Sequence, residues 1–155
     1  MANVLFTNVR IIDATGAQPY QGEVLIQGNR ISRVARGSRS VATTGVTVID
    51  GAGATLMPGM CEAHTHFGWT NSKTLDAIQK MPPEEHTLWA AQVAKLYLDH
   101  GWTSCVGAAT PKPRLDCVIR DAINSGQIPG PRYLAASQEI TVTGSLGDDM
   151  LPHLP

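Results

Sequence analysis

The sequence lacks a charge excess of either sign. Twelve Lys and Arg face thirteen Asp and Glu among 155 residues, the net charge is -1, and no block of like charge interrupts the chain. Nucleic acid and anionic membrane surfaces are bound through basic patches, so neither is an expected partner. No apolar run is long enough to cross a bilayer. Residues 1–10 have no basic stretch followed by a long apolar core and alternate as a strand does, so they do not read as a signal peptide. Cysteine is scarce: Cys61, Cys105 and Cys117 form no spaced pair. They read as free thiols, buried as small hydrophobes in a protein of the reducing cytoplasm. Internal repeats and low-complexity tracts are also missing.

What is present suits a buried core. Hydrophobic residues make up 43% of the chain and charged residues 16%, which fits one ordinary domain or two small ones. The first fifty-odd residues show no 3.6-residue periodicity. They read as short strands over 4–12, 24–27, 30–35 and 46–49, with a hairpin turn at Gly28-Asn29. After Pro58 the pattern becomes strand, helix, strand, helix, strand. Pro82-Pro83 before Glu84-Glu85 starts a helix, because proline is tolerated in the first turn and acidic residues complement the dipole there. Gly101 stops that helix. A strand follows over 103–108, a helix over 115–124 with Gly126 just past its end, and a strand over 132–136. Strands separated by helices imply parallel β-α units.

One motif carries chemistry. His64 and His66 end an apolar stretch introduced by Pro58-Gly59. Strand side chains alternate with period two, so the two imidazoles share a face and can chelate one divalent cation. The same parity places Glu62 beneath His64 and turns Cys61 toward the opposite face and its helices. Glu62 reads either as a hydrogen-bond partner of a ligand imidazole or as a paired structural carboxylate lower down. Trp69, in the following loop 67–71, reads either as a pocket wall or as a rim aromatic. His86, on the first helix, reads as solvated, His100 as a helix C-terminal residue favoured by the dipole, and His153 as exposed.

These residues resemble the metal-dependent amidohydrolase superfamily, whose signature is an Asp-Gly, a Pro-Gly and a His-x-His. Asp50-Gly51, Pro58-Gly59 and His64-Thr65-His66 match it in order, and residues 100–106 look like the family's second barrel strand. Residues 123–132, followed by 140–144, resemble the imidazolonepropionase-like and Xaa-Pro-dipeptidase-like branch. The resemblance implies an α/β fold: the N-terminal part of a (β/α)8 TIM barrel, residues 56–155, preceded by a small β-sandwich domain, residues 1–55. It implies a divalent metal, mono- or binuclear, with zinc first and cobalt, manganese or iron as alternatives, and His64 and His66 as ligands. The implied reaction is hydrolysis of an amide, carbamate, urea or peptide C–N bond by a metal-activated water. Deamination or decarboxylation on the same metal is the alternative, and a non-catalytic barrel-derived scaffold is a third reading.

Two departures bear on the site. The family carries Asp where this chain has Glu62. Many branch members carry His where this chain has Leu146, which points to a more apolar substrate and makes Leu146 a pocket candidate. Length is the larger difference. A complete barrel takes about 250 residues, and this chain has room for its first three strands. It looks truncated, and the general base is expected outside it. Expected partners are a small-molecule substrate, the remaining barrel segment in the same or another chain, and further copies in a homo-oligomer. Alone, the chain is expected to be inactive.

Overall fold

The computed structural model describes residues 3–143 and residue 145. It divides into two compact units, Met1–Pro58 and Gly59–Pro155.

In the first unit the strands are β1 (Val4–Ile11), β2 (Tyr20–Gln27), β3 (Arg30–Arg36), β4 (Thr47–Asp50) and β5 (Thr55–Leu56). β2 pairs antiparallel with both β1 and β3, while β4 and β5 run parallel to β1. β1 therefore has partners on both edges, and the short strands widen one layer instead of stacking two. The sandwich expected here is, among the described residues, a single mixed sheet. Among the described residues of this unit there is no helix. The hairpin at Gly28-Asn29 sets Gln27 opposite Arg30. Gly28 alone of the two has a positive φ, 63°, as a type II′ turn requires of its first central residue.

Asp50-Gly51 has a local structural role. Asp50 Oδ1 accepts from the Ala52 N–H at 2.8 Å and from Asn8 Nδ2 at 3.0 Å. These bonds, the Ala52 N–H first, hold its carboxyl below the usual range. Asn8 has a positive φ of 51° where the β1–β2 register shifts between Phe6 and Val9. A Cβ on Gly51 would come within 2.3 Å of Val9 Cγ1, so only glycine lets the turn lie against that bulge.

A second carboxylate holds a loop. Glu23 is 3% exposed and accepts the backbone N–H groups of Arg39, Ser40 and Val41 at 2.8, 2.9 and 3.0 Å. Charge-assisted bonds of this kind are the stronger class.

The second unit holds β6 (Met60–Thr65), α1 (Leu75–Lys80), α2 (Pro83–Asp99), β7 (Trp102–Gly107), α3 (Leu115–Asn124) and β8 (Arg132–Leu134). The strands form a parallel sheet in the order β6-β7-β8. Sequence pattern anticipated all of these elements except α1, a six-residue helix capped by the Thr74 hydroxyl. Gly59 explains the Pro-Gly lead-in physically: a Cβ there would meet Thr103 Oγ1 at 2.0 Å, so β6 and β7 approach closely only over glycine.

α2 and α3 pack on one face of the sheet. The core joins Ala90, Ala94, Leu115 and Ile119 to Phe67, Cys105 and Tyr133. Phe67 stacks on Tyr133 with centroids 4.3 Å apart and tilts against Tyr97 at 5.2 Å, geometries that suit the ring quadrupoles. Burial pushes the Cys105 thiol up to about 11, so this cysteine is inert. Cys61 is exposed and Cys117 half-buried, so the expectation of three buried thiols holds only for Cys105.

α2 buries a different stripe from the one its bulky residues suggest. Leu88 and Leu96 are 68% and 54% exposed, whereas His86, Ala90 and Ala94 are wholly buried. Those three lie at i, i+4 and i+8, one face of the helix, and small alanines allow the close approach. His86 is therefore not solvated as expected. Its Nε2–H donates to the Gly68 carbonyl. Desolvation drives its pKa below the ordinary value, against the Gly68 carbonyl and with help from the Lys112 charge. His100 sits at the C-terminus of α2 as expected, its ring nitrogen Nδ1 2.8 Å from the Leu96 carbonyl. His153 lies outside the described residues.

Two outcomes follow for stability. Glu23→Ala strands three N–H groups, and chemical denaturation should show a loss of about 3 kcal/mol or more, with Glu23→Gln losing less. His86 binds its proton more weakly folded than unfolded. The unfolded chain therefore holds more protons once the pH falls below about 6.5, and stability declines from there toward acid. The thermal midpoint should be lower at pH 5 than at pH 7.5, and this pH dependence should flatten in His86→Gln. Equal slopes in the two proteins would contradict the assignment.

Candidate metal centre

Register decides which β6 side chains meet. In a parallel pair, residues in register share a face. Glu62 is in register with Cys105 and Thr65 with Gly107, but two residues separate the first pair on β6 and only one on β7. A further shift lies between Met60 and Cys61. These bulges break the strict alternation. Glu62 falls on the face of Cys105, which the helices cover, and Cys61 falls with Ser104 on the other. The parity expectation is reversed for both residues: Cys61 does not pack under the helices, and Glu62 does not lie beneath the His64 ring. Glu62 Oε1 accepts the backbone N–H of His64 at 3.2 Å. Its side chain lines a cavity of about 290 Å³ with Leu96, Tyr97, His100 and Trp102.

His64 and His66 come together. Their Nε2 atoms are 3.1 Å apart and the rings meet edge to face, with centroids 4.9 Å apart and planes at 78°. His66 Nδ1 lies 3.1 Å from the Ala109 carbonyl oxygen. A carbonyl only accepts, so Nδ1 carries the proton and a neutral His66 presents a bare Nε2 toward His64. That is the tautomer a cation needs, with the second nitrogen held by a backbone carbonyl. Two nitrogens each about 2.0–2.1 Å from one zinc-like ion lie about 3 Å apart, so the pair fits as two ligands of one cation. Among the described residues no group of three or more His, Cys, Asp or Glu assembles around a common point.

Trp69 stands beside this pair. Its ring is edge-on to His66 at 5.5 Å and 89°. Together with Asn71, Trp89, Gln92 and Tyr97, the two line a groove of about 450 Å³. The indole N–H groups of Trp69 and Trp89 are buried without a hydrogen-bond partner among the described residues. Trp89 and Gln92 lie on α2, and nothing in their spacing marked them out. Leu146 lies outside the described residues.

One buried group near the histidines escaped the sequence reading. Asp116, in the first turn of α3, is wholly buried and takes a hydrogen bond from the Tyr133 hydroxyl. Its position after Pro113-Arg114-Leu115 reads as an ordinary acidic first-turn residue, so only packing identifies it.

No protein-family profile matches the chain. The 5'-deoxyadenosine deaminase of Methanothermobacter thermautotrophicus is 41% identical over 69 residues, 44% of this chain and 15% of the deaminase. The dihydroorotase of Wolbachia sp. subsp. Drosophila simulans is 30% identical over 117 residues, 75% of this chain and 23% of that enzyme. A solved Xaa-Pro dipeptidase with bound methionine in its active site superposes with a TM-score of 0.83 at 30% identity, over 95% of this chain and 36% of the dipeptidase. The chain thus spans roughly a third or less of each protein it matches. With its α/β sheets matching those neighbours and its sequence matching their relatives, the chain belongs to the amidohydrolase superfamily.

Proposed function

We propose that this chain contributes two metal ligands, His64 and His66, to a hydrolase of C–N bonds. The observation that carries the reading is the convergence of the two Nε2 atoms at 3.1 Å, with His66 locked by the Ala109 carbonyl. A divalent cation held there, zinc first and cobalt, manganese or iron as alternatives, supplies Lewis-acid polarisation of a carbonyl and acidifies water. His66 keeps its lone pair on the metal side because its other nitrogen is bound. Trp69 forms a wall next to His66 and keeps bulk water from that side of the pair. Trp69 and Trp89 give the groove aromatic lining beside the pair. Glu62 fixes the backbone at His64 and so acts on the ligand's position rather than on its ring.

The likeness to a Xaa-Pro dipeptidase over 95% of the chain supports amide or peptide-type substrates. The likeness to a 5'-deoxyadenosine deaminase at 41% identity supports a second reading, hydrolytic removal of ammonia from an aminopurine-type ring. Both reactions add water to a carbon bonded to nitrogen. The general base and further ligands come, in this proposal, from barrel strands beyond the three described here, in the same or another chain. A scaffold without activity has no use for two imidazole nitrogens facing each other at 3.1 Å.

Cobalt(II) titration of the chain should show weak binding, weakened a further tenfold or more in His64→Ala or His66→Ala; unchanged binding in both variants would refute the ligand assignment. The intact mass of the native gene product, with a panel of aryl amides, carbamates, ureas, Xaa-Pro dipeptides and aminopurine nucleosides, tests the remainder. A native product of only this mass that is monomeric, metal-loaded and active would overturn the need for further strands.

A further inference from the structure

We infer that Asp116 is a positioning residue for His66: gathered with the Tyr133 hydroxyl against Gly107, it holds the chain after β7 so that the Ala109 carbonyl keeps the His66 ring turned with Nε2 toward His64. Its consequence for metal binding rests on the proposed ligand role of the histidines; the ring orientation does not.

Asp116 is an unusual residue for its place. It is wholly buried, and none of the ion pairs among the described residues includes it. Oδ2 accepts from the Tyr133 hydroxyl and, at 3.4 Å, from the Ala136 N–H. Oδ1 is buried without a hydrogen bond, and so is the Thr110 hydroxyl, which lies close enough to act on the carboxylate though outside bonding geometry. Desolvation raises the Asp116 pKa, while the Tyr133, Ala136 and Thr110 groups and the His66 charge pull it down. Burying an unpaired carboxylate costs stability that an apolar side chain of similar size would not, so packing alone does not account for it.

The surroundings show what it holds. A Cβ on Gly107 would lie 2.6 Å from Asp116 Oδ2, 2.7 Å from the Tyr133 hydroxyl and 2.8 Å from the Ala136 nitrogen. Glycine at that position lets the carboxylate lie against the end of β7. Three bonds then define the next residues. The Ala108 N–H donates to the Thr65 carbonyl at 2.9 Å, the Thr110 N–H donates to the Ser137 carbonyl at 3.1 Å, and the Ala109 carbonyl faces His66 Nδ1. The Thr110 hydroxyl acts on the Asp116 carboxyl without a hydrogen bond to it. Ser137 follows Ala136, whose N–H Asp116 binds. The carboxylate thus holds the residue next to Ser137, the acceptor that anchors the far side of the Ala109 carbonyl.

The test reads the ring itself. The metal-free chain with 15N-labelled histidine, held well above the imidazole range, should show His66 as the Nδ1–H tautomer, with the signals assigned through His66→Gln. Asp116→Asn and Tyr133→Phe should each yield a mixture of the two His66 tautomers while far-UV circular dichroism stays that of the parent. Cobalt(II) affinity should fall about tenfold or more, the usual effect of disturbing a partner behind a ligand. A folded variant with His66 still wholly Nδ1–H would overturn the inference. If Asp116→Asn does not fold, Tyr133→Phe, which removes one hydroxyl, decides. If cobalt binding does not respond to His64→Ala or His66→Ala, the ligand reading fails, and the tautomer result still decides the role of Asp116.

Discussion

The stacked pair of Phe67 and Tyr133 is the contact on which the second unit turns. Phe67 follows His66 directly and is wholly buried. Seating it in the helix-covered core, against Tyr133 of β8 and Tyr97 of α2, leaves His66 no place in that core. The neighbouring imidazole is turned out of it and meets His64. One hydrophobic anchor thereby sets the orientation of one proposed metal ligand. The same Tyr133 carries its hydroxyl to Asp116, so the aromatic contact and the buried carboxylate are two ends of one residue.

The two units use their buried carboxylates in the same physical way. Glu23 gathers three N–H groups of a loop, and Asp116 gathers a hydroxyl on β8 and an N–H just past that strand. In both cases the hydrogen bonds the carboxylate accepts come from neutral donors rather than from a cation. Interior charge of this kind fixes geometry. An apolar residue would fill the space and leave the loop free to choose among arrangements.

Glycine has a comparable role wherever the backbone must come close. Gly59 against Thr103, Gly51 against Val9 and Gly107 against Asp116 all occupy places where a Cβ would overlap an existing atom. Two of these belong to the Asp-Gly and Pro-Gly pairs that carry the family resemblance. Their meaning is steric: they admit a bulge and a close strand pair, and the proposed metal chemistry lies with the histidines that follow.

Much was legible in the sequence, for identifiable reasons. α3 runs over Leu115–Asn124 as its periodicity and Gly126 indicate, and α2 begins at the expected proline and ends next to Gly101. The β2–β3 hairpin sits at Gly28-Asn29. The pairing of His64 with His66 agrees with local alternation, because the shift between Glu62 and Thr65 still leaves the two imidazoles on one side. These features depend on residues within one or two turns of each other, and local sequence determines them. Glu62 and Cys61 could not be placed that way, because the register shifts of β6 are set by β7, some forty residues on. His86 could not be recognised as buried while its neighbours Leu88 and Leu96 looked the better core residues, because the distance between α2 and the sheet selects small side chains. Asp116 and Trp89 gained their significance only when α3 and α2 were laid beside the strand carrying the histidines. The sequence by itself determined the elements and the two imidazoles. The tertiary structure alone decided which carboxylate stands behind them and which aromatic rings stand beside them, since those contacts join segments whose register and spacing are fixed by packing between distant parts of the chain.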